Sequence, residues 1–238
     1  MFGFFNNRKS LSESGILKGA VDNHSHILYG VDDGVRTLDE SLAILKFLEK
    51  AGLSKLWLTP HIMEDVPNTT SDLKERFSDL QSAYGGSINL SLASEYMMDN
   101  LFMKRLSERD LLLHGDDTVL VETSTWAPPI DFWDIMEKIM NMGYRPILAH
   151  PERYRYMKES DYQKLHDMQV LLQLNIPSIV GVYGEQVQMK ARDLMEKGWY
   201  SMTGSDCHRF KAIQGQYESR ILKSETLNRL DTLLHCAV

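Results

Sequence analysis

Gly19-Ala20-Val21-Asp22-Asn23-His24-Ser25-His26 joins a short apolar run to a carboxylate and two histidines, and the pattern recurs along the chain. Leu56-Trp57-Leu58 runs into Thr59-Pro60-His61, the run 88–93 is followed by Glu95, and Val119-Leu120-Val121 by Glu122. The run 146–149 leads into His150-Pro151-Glu152-Arg153, and 200–203 into Ser205-Asp206-Cys207-His208. Only the sixth run, 170–174, ends without a strong metal-ligand candidate, at Asn175. Residues so far apart in sequence meet only if the fold gathers the strand ends. A parallel (β/α) barrel does so, because the C-terminal ends of its strands open on one face.

Between the apolar runs lie amphipathic segments, the alternation expected of βαβ units. Thr37-Leu38-Asp39-Glu40 reads as a capping box opening a helix to about Lys50, stopped by Gly52. Further helices are expected at 71–84, from Pro128-Pro129 to near Gly143, at 160–168, at 186–197 and at 217–235. The stretch 97–115 fits the rhythm less well and reads as a helix plus an irregular loop. No repeat or flexible linker divides the 238 residues, so the expectation is a tail over 1–18 and a single α/β barrel domain over 19–238.

The net charge of −7 argues against a nucleic-acid backbone as partner. Two cysteines, Cys207 and Cys236, give no disulfide framework and suit a reducing cytoplasm. Met1-Phe2-Gly3-Phe4-Phe5 is apolar but too short for a signal-peptide core or a membrane span. With Arg8 and Lys9 behind it, the segment packs on its own domain or a neighbouring subunit, or else touches a membrane surface.

Taken singly, each candidate has an ordinary alternative. A lone His-x-His or Asp-x-His is more often a chance pair than a site. Glu95 could be a cap or surface charge, His61 a core histidine, and Arg153 a rim partner of Glu152. Taken together, His24, His26, His61, Glu95, Glu122, His150, Asp206 and His208 form a mixed imidazole–carboxylate set that suits Mn, Fe, Zn or Co better than Ca or Mg alone. The set exceeds the needs of one cation, and two or three sharing bridging carboxylates suit hydrolysis of a phosphate ester. Arg153, three residues past His150, is placed to clamp a phosphoryl group. Arg209 and Lys211, just past His208, are further candidates. A cysteine-phosphatase mechanism is excluded on spacing, since Ile213 stands where the phosphate-loop arginine would follow Cys207.

Asp-x-His-x-His-Ile-Leu-x-Gly-x-Asp-Asp-Gly, Thr-Pro-His, Ala-His-Pro-Glu-Arg-Tyr and Ser-Asp-x-His, in this order over 21–208, resemble the polymerase and histidinol phosphatase (PHP) superfamily. The resemblance is nearest to its bacterial tyrosine-protein phosphatases of capsule and exopolysaccharide synthesis. It implies a distorted seven-stranded TIM-like barrel with a trinuclear centre, commonly manganese-activated, at the C-terminal strand ends. His24, His26, Glu95 and Asp206 would hold the first cation. Glu95 would bridge to a second, held also by Glu122 and His150. His61, His208 and Asp33, with Asp32 as its rival, would hold a third. Arg153 matches a phosphate-binding arginine of the family. A second such arginine falls near Ile213, so Arg209 or Lys211 substitutes or the second clamp is missing.

The reading that follows is a metal-dependent phosphotyrosine-protein phosphatase in which a metal-bridging hydroxide attacks phosphorus. Glu95, His150, Asp206 and Arg153 are its catalytic set, and Arg153 and Arg209 its substrate contacts. Two or three divalent ions are expected, manganese first and Fe, Zn, Co or Mg as alternatives. The implied partner is the phosphotyrosine tail of a bacterial membrane tyrosine kinase, met in the cytoplasm or at the inner membrane face, with a homo-oligomer as a further expectation. The rivals are a histidinol-phosphate phosphatase or other small-molecule phosphoesterase, and a non-catalytic module stabilised by its metals.

Overall fold

Every pairing between strands is parallel in the computed structural model, which describes residues 8–236. The strands are β1 (Val21–Asp22), β2 (Lys55–Leu58), β3 (His61–Ile62), β4 (Asn89–Leu92), β5 (Glu95–Met97), β6 (Thr118–Glu122), β7 (Arg145–Ala149), β8 (Leu171–Asn175) and β9 (Tyr200–Gly204). They lie in two sheets, ordered β1-β2-β4 and β3-β5-β6-β7-β8-β9. The expected runs 56–58 and 88–93 are β2 and β4, and each is followed, after a two-residue break at Thr59-Pro60 or Ala93-Ser94, by a short further strand, β3 or β5. Pro60 brings no N–H to a ladder, but its carbonyl accepts from Glu95 N at 3.2 Å, and Ala93 N donates to Leu58 O at 2.9 Å, so the break is narrow.

The ring closes between the first and last strands. Asn23 N donates to Thr203 O, Asp206 N to His24 O and His26 N to Cys207 O, at 3.2, 2.9 and 3.0 Å. With β2/β3 and β4/β5 each counted as one staggered position, seven positions surround the axis. The fold is the distorted TIM-like barrel that the strand-end pattern predicts.

Side-chain alternation along the strands assigns two cores. Leu120, Ile147, Ala149 and Met202 form a small inner cluster, whereas Val119, Val121, Leu148, Leu172 and Leu174 pack in the large cluster that includes the helices. Leu120 and Glu122 share one face, as do Leu171, Gln173 and Asn175, so polar strand-end residues are carried inward above an apolar plug.

The helices are α1 (Leu11–Ser14), α2 (Leu38–Ala51), α3 (Thr70–Ala83), α4 (Asn100–Glu108), α5 (Phe132–Asn141), α6 (Glu159–Asp167), α7 (Ile176–Ile179), α8 (Glu185–Glu196), α9 (Phe210–Glu218) and α10 (Ser224–Leu234). In α2 the Thr37 hydroxyl accepts from Glu40 N, and Gly52 ends the helix at φ 102°. This is a simple N-cap, without the reciprocal arm of the expected capping box. The expected single helix over 217–235 is two, because residues 219–223 leave the helical path and Lys9 pairs with Leu222 in an antiparallel bridge. That bridge, the buried Leu11 and Leu17, and the Glu13–Arg220 ion pair lay the chain from Lys9 onward against this corner. Residues 1–5, on which the membrane-contact expectation rests, lie outside the described residues. Among the described residues no helix is long and apolar enough to cross a membrane.

His114, in the loop after α4, stacks on Trp57 with ring centroids 4.0 Å apart and donates Nε2–H to Asn23 O at 3.0 Å. Burial pushes its pKa down to about 3. Below the ordinary 6.5 the unfolded chain therefore takes up a proton that the fold refuses. This contribution is fully present above pH 6.5 and is lost as pH falls toward 3. His114→Phe is expected to reduce the loss of stability between pH 7 and 5, by at most about 1.4 kcal/mol per pH unit, read from urea midpoints of variant and parent at both pH values.

Candidate metal centre

His24 and His26 follow β1 two residues apart, so both rings turn inward, and Asp206 and His208 follow β9 directly across the ring closure. Asp22 ties the two segments, its Oδ1 accepting from His24 N and Ser205 N at 3.2 and 2.8 Å. His150 and Asp206 take left-handed backbone angles, φ 36° and 51°, that non-glycine residues rarely adopt. Such strain gathers where the surroundings fix a functional side chain.

The decisive geometry concerns two ring nitrogens. Gln173 Nε2 donates to the Leu174 carbonyl, which turns Gln173 Oε1 toward His24 Nδ1 at 2.9 Å. Asp32 Oδ2 lies 2.8 Å from His26 Nδ1 and also accepts His61 N, while Asp32 Oδ1 accepts Gly34 N. Both partners are acceptors, so both Nδ1 atoms carry the proton. The two Nε2 lone pairs are then left facing each other across 3.0 Å. Glu95 Oε2 stands 3.1 and 3.2 Å from them, and Asp206 Oδ1 3.7 and 3.4 Å.

Four acceptors converging on one point need a positive charge between them. Donors bound at right angles about 2.1 Å from one cation lie about 3 Å apart, so the spacing suits a cation. Protons are the alternative remedy. Burial disfavours charging the rings, yet Glu95 beside His24, and Asp32 and Glu95 beside His26, lift both pKa values above the ordinary one.

Two more groups adjoin the first. His61 Nδ1 lies 3.2 Å from Glu95 Oε2 and 3.3 Å from Glu122 Oε1, and His150 Nε2 lies 3.0 Å from Glu95 Oε1 and 3.7 Å from Glu122 Oε2. On the outer side Asp33 Oδ1 is 3.4 Å from His208 Nε2 and 3.7 Å from His61 Nε2. His24-His26-Asp206, His61-Glu95-Glu122 and His26-Asp33-His61-His208 each gather ligand atoms close enough to share an ion. Burial, then Glu95 and Asp206, push Glu122 well above the carboxylate range, the response of crowded acids lacking a counter-charge. Burial and His26 push His61 down to about 4, which keeps its ring neutral, the form that binds metals. The floor of the centre is sealed, but the Asp33 side chain is 71% exposed and that of His208 27%, so one side is open to solvent.

A family model for capsular polysaccharide synthesis, CpsB/CapC, matches residues 20–219. The chain belongs to the CpsB/CapC family. Tyrosine-protein phosphatase CpsB of Streptococcus agalactiae is 26% identical over 207 residues, covering 79% of this chain and 82% of that protein. Tyrosine-protein phosphatase YwqE of Bacillus subtilis is 23% identical over 198 residues, covering 80% and 78%. A crystal structure from work on YwqE and Streptococcus pneumoniae CpsB, described as metal-dependent tyrosine phosphatases, superposes with a TM-score of 0.76 at 23% identity, over 90% of this chain and 87% of the other. The phosphotriesterase homology protein of Escherichia coli shares the fold at a TM-score of 0.57 and 11% identity, over 90% and 92%. Membership in CpsB/CapC bears out the capsule-associated PHP resemblance.

Gln173 and the part played by Asn175 escaped sequence reasoning around this CpsB/CapC centre, and Asp32, weighed there only as a rival metal ligand, has a different role. Gln173 and Asp32 set the tautomers of His24 and His26, and Asn175 Nδ2 donates to Asp206 Oδ2 at 2.9 Å. A polar Gln173 within an apolar strand was the available signal for the first. Arg153 does not pair with Glu152, which is turned inward on Asn175 N and the Tyr200 hydroxyl. Its Nη1 donates to Asp206 Oδ2 at 2.9 Å, and its guanidinium packs on the Tyr183 ring at 4.6 Å. Arg209 Nη1 donates to the carbonyls of Asp33, Gly34 and His208, holding the aspartate loop against the last strand end.

Because Asp32 fixes the His26 tautomer, Asp32→Asn is expected to weaken manganese binding roughly 10- to 100-fold while leaving the far-UV circular dichroism unchanged, measured by equilibrium dialysis of the apo-protein.

Proposed function

We propose that this chain is a metal-dependent phosphotyrosine-protein phosphatase acting on a bacterial tyrosine kinase of capsule or exopolysaccharide synthesis. The observation that carries the reading is the pair of His24 and His26 lone pairs fixed 3.0 Å apart beside two carboxylates. His24, His26, Asp206 and Glu95 would hold one divalent ion. Glu95, Glu122 and His150 would hold a second, with His61 Nδ1 beside them. Asp33, His61 and His208 would hold a third, Asp32 being spent on His26. Manganese is the expected ion. The names of the curated CpsB and YwqE relatives support the tyrosine-phosphatase assignment.

Bound cations of this kind activate water at neutral pH and neutralise phosphoryl oxygens. The chain's own residues supply the rest. Glu95 sits in the shared wall between two ligand groups, its Oε1 3.0 Å from His150 Nε2 and its Oε2 3.1 Å from His24 Nε2. Arg153 keeps one donor on Asp206 and has further N–H groups to orient phosphoryl oxygens. The departing phenolate, of pKa about 10, needs little general-acid help. The open side at Asp33 and His208 favours a catalytic centre over the structural-module alternative, since structural sites are closed.

Phosphate release from a phosphotyrosyl peptide is expected to require manganese, to cease in EDTA, and to exceed release from histidinol phosphate. A folded, metal-loaded protein that prefers histidinol phosphate would transfer the assignment to the small-molecule reading. His150→Ala should lower kcat by at least about 100-fold with the fold retained. Arg153→Lys should act on both kcat and KM, because the ammonium cannot reproduce a planar two-donor contact.

A further inference from the structure

A second pocket adjoins the metal centre and shares Arg153 with it. Its cavity of about 380 Å³ is lined by Arg153, Arg155, Tyr183, Gln186, Lys190 and Glu152, among others. Three of the lining residues are cations and one is an acid, in a chain of net charge −7. The acid, Glu152, is buried and committed to Asn175 N and the Tyr200 hydroxyl, so the face offered to a ligand is basic.

Arg153 is paired with Asp206, but the other two cations, Arg155 and Lys190, are held in place without being neutralised. Arg155 lies against the indole of Trp126, 3.9 Å from the ring, and its guanidinium makes no hydrogen bond or ion pair with another described residue. Stacking occupies the face of a guanidinium and leaves its in-plane N–H edges available. Lys190 gives one of its three donors to Tyr154 O at 2.8 Å and pairs with no carboxylate among the described residues. Trp126 itself is 69% exposed. Here it fixes the edge of Arg155 beside the cavity.

We propose that this pocket is a subsite for an acidic side chain of the substrate peptide, within one or two residues of the phosphotyrosine. The proposal rests on the phosphatase reading, because Arg153, which joins the pocket to Asp206, sets that short spacing. Arg155 and Lys190 act as the specificity determinants. An arginine edge and an ammonium recognise a carboxylate by charge-assisted hydrogen bonds. In an otherwise acidic molecule they also create the local field that draws an acidic peptide to this rim.

The test compares kcat/KM of the manganese-loaded full chain on phosphotyrosyl peptides that differ only in carrying Glu, Gln or Lys beside the phosphotyrosine. Free phosphotyrosine serves as the common reference substrate. The expected result is a preference for the Glu peptides of about 5- to 10-fold over Gln, mostly in KM and shrinking with added salt. Arg155→Gln and Lys190→Gln should each reduce the Glu/Gln ratio, and Arg155→Glu should shift preference toward the Lys peptides. Equal rates on all peptides by the parent protein, with free phosphotyrosine hydrolysed, would overturn the subsite and leave the phosphatase reading standing. A Glu preference that survives in both Gln variants would also overturn it. Failure to hydrolyse any phosphotyrosyl compound would remove the phosphatase reading and the subsite with it.

Discussion

Two hydrogen bonds made on the far side of two imidazoles govern the centre. Gln173 and Asp32 hold the protons of His24 and His26 on Nδ1, and this forces both Nε2 lone pairs into one small volume with Glu95 and Asp206. Burial removes the solvent that could otherwise separate or hydrate them. The arrangement costs free energy as a bare protein and is relieved by positive charge. The rest of the structure serves it: the ring closure aligns the first and last strand ends, Asp22 ties them, and Arg209 pins the loop that carries Asp32 and Asp33.

The centre divides into a rigid floor and a polar, open edge. His24, His26, Glu95 and His150 are buried and hydrogen-bonded into strand ends, whereas Asp33, His208 and Arg153 reach solvent. Each buried acid is crowded by another, so burial and repulsion act together on Glu122, while surrounding histidines hold Asp206 below the ordinary range despite its burial. Opposite shifts in neighbouring carboxylates mark a site built around charge rather than around packing.

The barrel and most of the candidate ligands were legible because a parallel sheet puts its strand ends on one face. A histidine or carboxylate directly after an apolar run is therefore visible in one dimension. The short strands β3 and β5 were not, since each is only two or three residues long and begins at the histidine or glutamate taken to end the run before it. The split between α9 and α10 depends on Leu222 pairing with Lys9, a contact across the whole chain that no local pattern records. Asp32 and Asp33 are equivalent in sequence and differ only in which way the loop turns. That turn runs so close to His26 that a Cβ at Gly34 would lie 2.2 Å from the His26 carbonyl oxygen.

The closure of the barrel also imposes an order on how the protein comes to exist. Asn23 and Thr203, 180 residues apart, are joined at the seam beside His24, His26 and Asp206. Contacts of such separation form late, after the loop between them has been organised. A chain still emerging from the ribosome therefore has its first two histidines long before it has the aspartate opposite them. A cation site built from His24, His26 and Asp206 could not be completed on a partial chain, so its loading would wait for the closure of the ring.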